Sequence, residues 1–246
     1  MNWQFYIKSF QDYLAIERGL SSNTILNYTL DIEKLYSYLE THNCIETPVQ
    51  IKAETIQAFI YQISKEVNAR SQSRIISGLK SFFQYLIFED YRTTNPTDLL
   101  EPPKIGRKLP ETLSLQEIDA LISAIDLSYP EGERNRTMLE TLYACGLRVS
   151  ELITLKISDL YFEEGFIKVT GKGSKQRFVP IGIATQKYIT LYLNEIRNKI
   201  NIKKGHEDTL FLNRRGRGLT RAMIFTIIKD LATSIDLKKT ISPHTF

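Results

Sequence analysis

Apolar side chains recur at steps of three and four residues along most of the first 97 positions, the spacing that forms one face of an α-helix. The first such stretch runs from Trp3 to Ile16 and is followed by Gly19. Three further stretches carry Ile25 to Leu39, Ile51 to Ile63, and Ile75 to Ile87. Because the connections between them are short, the pattern predicts a compact bundle of four helices.

The helical pattern stops at Asn95-Pro96. The segment 98–111 combines prolines with several cations and predicts a stiff, basic linker. Helical spacing then returns, and Ser114 and Glu117 have the spacing of a capping box at the start of a helix. We predict a loop at 130–132 and further helices at about 135–144, 150–155, 184–200 and 221–236.

Short apolar runs lie among these helices, at 160–162, 166–170 and 178–181. Turn residues separate the runs, so they predict a small antiparallel sheet. The predicted protein is therefore mainly α with a small antiparallel β-sheet in its second domain. Its predicted parts are a helical domain at 1–97, a basic linker at 98–111 and a second domain at 112–246.

Composition narrows the class of protein. The 32 Lys and Arg residues exceed the 28 Asp and Glu residues, and the formal charge of +4 weakly favours an anionic partner. The two cysteines, Cys44 and Cys145, do not form a metal-type cluster and suit a reducing compartment. There is neither a long apolar run nor a signal-peptide core. We therefore expect a cytoplasmic protein that does not enter a membrane.

Small polar side chains lie beside cations on one face of the predicted second and fourth helices. Short side chains let a helix approach a phosphate backbone closely, so this face is a candidate phosphate contact. Its members are Asn23, Thr24, Asn27, Arg70, Arg74 and Lys80. An ordinary solvated helix face is the alternative, and composition alone favours it.

Two further cationic segments are candidate DNA contacts. One is the linker, where Lys104, Arg107 and Lys108 fall within five residues. The other is a glycine-rich loop and the helix start that follows it, with Arg214, Arg215, Arg217 and Arg221. A solvated hinge and a solvated loop are the respective alternatives.

Two boxes carry the candidate chemistry. The first, Tyr-Ala-Cys-Gly-Leu-Arg-Val-Ser-Glu-Leu at 143–152, places Arg148 just after a glycine and three residues before Glu151. The second, Thr-Gly-Lys-Gly-Ser-Lys-Gln-Arg-Phe-Val-Pro at 170–180, places Lys172 between two glycines in a predicted hairpin turn. A fixed arginine and a mobile lysine together suit a phosphate group.

These boxes resemble those of the tyrosine recombinases, the phage integrase family, and most closely the bacterial Xer recombinases. The resemblance covers nearly the whole chain. It implies a two-domain, DNA-clamping architecture, in which residues 1–97 form a helical core-binding (SAM-like) domain and residues 112–246 belong to the catalytic domain.

The resemblance also implies roles for individual residues. Arg148 would bind the scissile phosphate, Glu151 would support the geometry of Arg148, and Lys172 would be the general acid. His244, in Ser-Pro-His-Thr-Phe, would hydrogen-bond the phosphate and assist proton transfer. Lys175 and Arg177 would contact phosphates nearby. No metal and no cofactor are implied, because the covalent intermediate retains the bond energy.

In the family a second arginine and the nucleophilic tyrosine follow the position of His244, whereas no tyrosine follows His244 here. We therefore expect a catalytic domain that is incomplete at its C-terminus. On this reading the chain alone binds DNA without cleaving it, and none of its thirteen tyrosines is the nucleophile.

For the full-length protein the resemblance implies an enzyme of site-specific DNA recombination. It would act through a 3′-phosphotyrosyl intermediate, in a tetramer with identical or different recombinase protomers on a double-stranded site. The Xer group implies chromosome dimer resolution at cell division, with an FtsK-type DNA translocase as activator. The alternatives are an integrase of a mobile element, a naturally truncated non-catalytic DNA-binding protein and a helical scaffold for protein partners.

Overall fold

The computed structural model describes residues 2–106, 112–239 and 241, and the chain divides into two compact units, Met1–Lys108 and Leu109–Phe246. The first unit is helical, as the sequence predicts. Its helices are α1 (Trp3–Ile16), α2 (Ser22–Thr41), α3 (Ala53–Ile63) and α4 (Ala69–Phe88).

The core of the first unit is rich in aromatic residues. Phe10, Phe82 and Phe83 have no exposed surface, and Phe82 packs edge-on against Phe10 and Phe83.

Asn68 caps α4, because its Oδ1 accepts a hydrogen bond from Ser71 N at 2.9 Å. Ser21 precedes α2, and its hydroxyl pairs with that of Thr24 instead of a backbone N–H.

The second unit combines helices with a small sheet. Its helices are α5 (Leu115–Ser123), α6 (Pro130–Ala144), α7 (Val149–Thr154), α8 (Ile183–Leu191) and α9 (Arg221–Ser234). The sheet has the order β1-β2-β3, all antiparallel, with β1 at Leu160–Tyr161, β2 at Phe166–Thr170 and β3 at Gln176–Pro180. Apolar residues of α6, α7, β2, α8 and α9 share one core. The mainly α fold with a small antiparallel sheet is therefore confirmed.

The capping box at the start of α5 forms as predicted. Ser114 N donates to Glu117 Oε2 at 2.7 Å, and Glu117 N donates to Ser114 Oγ at 3.3 Å.

The predicted loop at 130–132 is wrong, since α6 already begins at Pro130. Proline suits the first position of a helix, and a side chain at Gly132 would place its Cβ only 1.9 Å from Asp126 O. Gly132 therefore permits close packing and does not mark a turn.

The predicted helix 184–200 is not uniform. After α8 the chain makes a π turn at Tyr192–Ile196 and then a 3₁₀ turn at Arg197–Lys199. Both Tyr192 and Arg197 are buried. Extended residues then cross back over the unit, with isolated bridges between Lys156 and Thr209 and between Leu212 and Gly218. Among the described residues no helix is long and apolar enough to cross a membrane.

Candidate functional site

The end of α6 determines where Arg148 lies. Gly146 has a φ of 56°, in the left-handed region, and its N–H donates to Tyr143 O at 3.1 Å. Leu147 N donates to Leu142 O at 3.0 Å, which completes a Schellman motif. The chain therefore turns sharply, and Arg148 occupies the N-cap position of α7. Its side chain is 65% exposed.

Glu151 lies one turn further along α7 and binds both the backbone N–H and the guanidinium of Arg148. Its Oε2 accepts a hydrogen bond from Arg148 N at 2.8 Å, and its Oε1 accepts one from Arg148 Nη1 at 3.0 Å. The first bond satisfies a free N–H at the start of the helix. The second fixes the guanidinium, while the Glu151 side chain itself is only 1% exposed.

A second arginine binds the same carboxylate from the sheet. Arg177 of β3 donates from Nη1 to Glu151 Oε1 at 2.6 Å and from Nη2 to Oε2 at 3.0 Å. The hydrogen bonds from Arg177 are the largest cause of the low pKa of Glu151, about 2; those from Arg148 act in the same direction, and burial opposes them. Glu151 therefore stays ionised and accepts four hydrogen bonds from two arginines.

The hairpin of β2 and β3 carries the lysine box. Gly171 N donates to Lys175 O at 2.8 Å, and Lys172 begins a short 3₁₀ turn between them. Gly173 has a φ of 72° and Ser174 a φ of 58°, so the tip is tightly bent. The backbone of Lys172 is therefore in a hairpin turn, as the sequence predicts, while its side chain lies outside the described structure. The predicted site residues His244, Arg107 and Lys108 lie entirely outside the described residues.

In the first unit, hydrogen bonds join some of the predicted polar residues of α2 to Arg74 of α4. Arg74 Nη1 binds Asp31 Oδ2 and also donates to Asn27 O at 3.4 Å. Asn27 in turn donates to Asn23 O at 2.7 Å. Thr24 bonds Ser21, Arg70 is exposed and Lys80 is half-buried, so these three do not join that chain of contacts.

Asp31 is a residue that sequence reasoning missed. It has no exposed surface, and its Oδ1 has no hydrogen-bond partner among the described residues. Burial raises the pKa of Asp31, with the pairing to Arg74 acting in the opposite direction. A single aspartate among apolar positions of α2 gives no indication of the helix against which it will pack.

The arginine loop of the second unit is tightly built. Asn213 Oδ1 accepts hydrogen bonds from Arg215 N at 2.9 Å and Arg217 N at 3.2 Å. A Cβ on Gly216 would lie 2.0 Å from Asn201 O, so the turn is pressed against the neighbouring backbone. Four side chains of this segment are exposed, namely Arg214, Arg215, Arg217 and Arg221. Lys104 and Lys175 are exposed elsewhere.

The described residues contain no group of three or more His, Cys, Asp or Glu side chains that could hold a metal ion. The second unit instead offers a set of guanidinium groups, and a buried carboxylate, Glu151, orients two of them, those of Arg148 and Arg177. Such an arrangement can bind an anion with several oxygens, and a phosphate group has the matching geometry.

Two family matches span most of the chain. Residues 111–246 match the phage integrase family, and residues 7–90 match its N-terminal SAM-like domain. Over 243 residues the chain is 41% identical to the tyrosine recombinase XerD of Oceanobacillus iheyensis, covering 98% of this chain and 82% of that protein. It is 39% identical over 240 residues to the XerD of Listeria innocua, covering 97% and 81% respectively.

Solved structures share the fold. The XerH recombinase bound to a palindromic difH substrate matches with a TM-score of 0.73 at 22% identity, over 90% of this chain and 65% of that one. A lambda integrase tetramer bound to a Holliday junction matches with a TM-score of 0.74 at 19% identity, over the whole of this chain and 70% of that one.

Proposed function

Because the chain belongs to the phage integrase family of tyrosine recombinases, we propose that it binds a double-stranded DNA recombination site and presents Arg148 to the scissile phosphate. One observation carries this proposal. The Arg148 guanidinium is exposed, yet its backbone and side chain are both anchored to the buried Glu151. An arginine held in this way is preorganised for a phosphate oxygen.

The proposed chemistry is strand cleavage and rejoining through a 3′-phosphotyrosyl intermediate. Arg148 stabilises the negative charge that builds up on the phosphate oxygens, Lys172 donates the proton that the leaving 5′-oxygen needs, and His244 hydrogen-bonds the phosphate. Glu151 acts on Arg148 and not on the proton. We assign the nucleophile to no tyrosine of these 246 residues and expect them alone to bind DNA without cutting it. Cleavage is therefore to be measured in a protein extended to the full length of the XerD relatives.

We further propose that residues 1–97 are a DNA-binding domain and residues 112–246 part of a catalytic domain, joined by a basic linker at 98–111. The proposed phosphate contacts of the first domain and linker are Asn23, Thr24, Asn27, Arg70, Arg74, Lys80, Lys104, Arg107 and Lys108. Those of the second are Lys175, Arg214, Arg215 and Arg221. The guanidinium of Arg177, the remaining candidate, is bonded to Glu151. Exposed cations on a turn that is fixed by hydrogen bonds, as in the arginine loop around Asn213, support this assignment.

The biological role that we propose is chromosome dimer resolution at cell division. The identity of 41% to a XerD over 98% of the chain supports it. That role implies a cytoplasmic tetramer of recombinase protomers on DNA, with an FtsK-type DNA translocase as activator. The second candidate is an integrase of a mobile element, which would use the same chemistry at the same residues. A non-catalytic DNA-binding protein is the third.

The test begins with binding of the purified chain to fragments of its host's genome, followed by sequencing of the bound DNA. One dyad-like chromosomal site is the result expected for a dimer-resolving recombinase, whereas the ends of an element are expected for the second candidate.

On the recovered duplex, log Kd should change with log salt by roughly 0.9 per phosphate contacted. Arg214→Ala should lower that slope, whereas Arg136→Ala, which removes an arginine bonded to Tyr188 Oη, should not. A salt-independent Kd would contradict DNA binding.

A further inference from the structure

Two residues that flank the lysine turn lie close to the same buried carboxylate. Arg177 follows the turn and binds both oxygens of Glu151. Gly171 precedes the turn, and a Cβ there would lie 3.1 Å from Glu151 Oε1 and 3.5 Å from Arg177 Nη1. Both sides of the base of the turn therefore lie close to Glu151.

The register of the hairpin explains why Arg177 faces inward. Arg177 pairs with Val169 of β2, which is buried in the core of the second unit. Paired residues of adjacent strands share one face of the sheet, so Arg177 lies on the face that packs against α7. Its neighbours Gln176 and Phe178 point to the opposite face, and the Arg177 side chain, although 41% exposed, reaches Glu151 with its guanidinium. The strand thus directs one cation toward Glu151.

From this geometry we infer that Arg177 is a positioning residue, which fixes the base of the Lys172 turn to Arg148 by way of Glu151. This inference rests on the proposed function of the site. Arg177 itself makes no essential contact with the scissile phosphate. It sets the distance between the turn that carries the proton donor and the arginine that binds the phosphate.

The same arrangement lets Arg148 engage a phosphate at low cost. A buried carboxylate that loses its cationic partner is strongly destabilising. Arg148 gives Glu151 only one side-chain hydrogen bond, at 3.0 Å, whereas Arg177 binds both oxygens. If Arg148 turns toward a phosphate, Glu151 therefore keeps a bidentate partner, and Arg148 keeps its backbone bond to Oε2.

The experiment uses the protein extended to the length of its XerD relatives and a nicked duplex that traps the covalent intermediate. Arg177→Ala should slow covalent attachment at saturating protein by about 10²-fold, the usual effect of a displacement near 1 Å, with the Kd for the duplex unchanged. Arg177→Lys, which keeps the charge and loses the bidentate contact, should also slow it and is more readily folded. Gln176→Ala, on the outer face of the same strand, is the matched control and should attach at the wild-type rate.

A second substrate separates positioning from phosphate contact. With sulfur in place of the 5′-bridging oxygen, the leaving group departs as a thiolate and needs no proton donor, since thiols are far more acidic than alcohols. This substrate should restore the attachment rate of the Arg177 variants and should not restore that of Arg148→Ala.

The possible outcomes are distinct. Rescue of the Arg177 variants by the sulfur substrate supports the inference. An unchanged rate, a loss that sulfur does not rescue, or a loss confined to the Kd overturns it. If the wild-type protein itself never attaches to DNA, the proposed function fails instead.

Discussion

The buried carboxylate of Asp31 lies directly against the backbone of Gly78, on the neighbouring helix. A Cβ at Gly78 would be 3.0 Å from Asp31 Oδ2 and 3.2 Å from Asp31 Cβ. Glycine in the middle of a helix costs about 1 kcal/mol relative to alanine. Its presence in α4 therefore has a local reason, which is the room that Asp31 needs beside Arg74.

Gly78→Ala should lower the free energy of unfolding, although alanine is the better helix former. Crowding of this kind costs about 1–3 kcal/mol, and Asp31 Cβ can withdraw only if α2 moves. Urea unfolding of the 246-residue chain measures the effect. Ser77→Ala, an exposed position of the same helix, is the control and should be nearly neutral. A stabilised Gly78→Ala would mean that the two helices separate easily.

Arg74→Ala should destabilise the first unit by about 3 kcal/mol near neutral pH, at the low end for a buried pair because the Arg74 side chain is 39% exposed. The change leaves Asp31 charged, buried and without its hydrogen-bonded cation. Asp31→Asn in the same chain should recover much of that loss, since the amide carries no charge. Burial raises the pKa of Asp31 in the folded protein, and removal of Arg74 should raise it further. The loss should therefore be smaller in acid, where Asp31 is protonated, than at neutral pH.

Comparison of the urea midpoints of Arg74→Ala and wild type at several pH values tests this sign. If the difference between them grows in acid, the proposed burial of charge is wrong. Measurement of the Kd for DNA in the same variants separates an effect of stability from the loss of one phosphate contact. The double variant with Asp31→Asn restores the fold without restoring the cation.

Glu151 should make the second unit sensitive to acid. Its pKa of about 2 lies below the ordinary value of 4.5, so its contribution is present above about pH 4.5 and is lost as the pH falls toward 2. At 1.36 kcal/mol per pKa unit this contribution is about 3 kcal/mol. Glu151→Gln should lose that much stability at neutral pH and should lose less further stability on acidification than the wild type does. Glu164→Gln, in an exposed turn, should keep the wild-type pH profile.

Arg148→Ala, in the extended protein, should reduce covalent attachment by at least about 10²-fold, the effect of removing one donor to a developing oxyanion. The Kd for the duplex should change little, because many other phosphate contacts remain. Arg148→Lys should recover only part of the rate, since an ammonium group cannot bind two oxygens in one plane. Attachment at the wild-type rate in Arg148→Ala would refute the assignment.

The sequence predicts most of the elements because their signals are local. The amphipathic spacing of the first unit and the capping box at Ser114 each depend on residues within one or two turns of each other. The error at Pro130 has the same origin. Proline followed closely by glycine is typical of a loop, and only the packing of Gly132 against Asp126 O distinguishes a helix start.

The contacts that the sequence could not predict join distant parts of the chain. Arg177 lies 26 residues from Glu151, and its direction depends on the register of a hairpin that places it opposite Val169. A shift of that register by one residue would have turned Arg177 to the solvent. Asp31 and Arg74 are 43 residues apart, and their pairing depends on how two helices pack.

The π turn at Tyr192–Ile196 has a consequence for how the arginine loop is held. In an α-helix two residues five apart point about 140° away from each other, at about 100° per residue. A π turn closes its hydrogen bonds over five residues, so Tyr192 and Arg197 point the same way. Tyr192 Oη accepts from Leu212 N at 3.1 Å, and Arg197 Nη2 donates to Thr209 O at 2.8 Å. Deletion of one residue here would restore an ordinary helix and rotate one of these two side chains away. The extended segment that leads into Asn213 would then lose one of these two side-chain hydrogen bonds, so the π turn helps to hold the arginine loop in place.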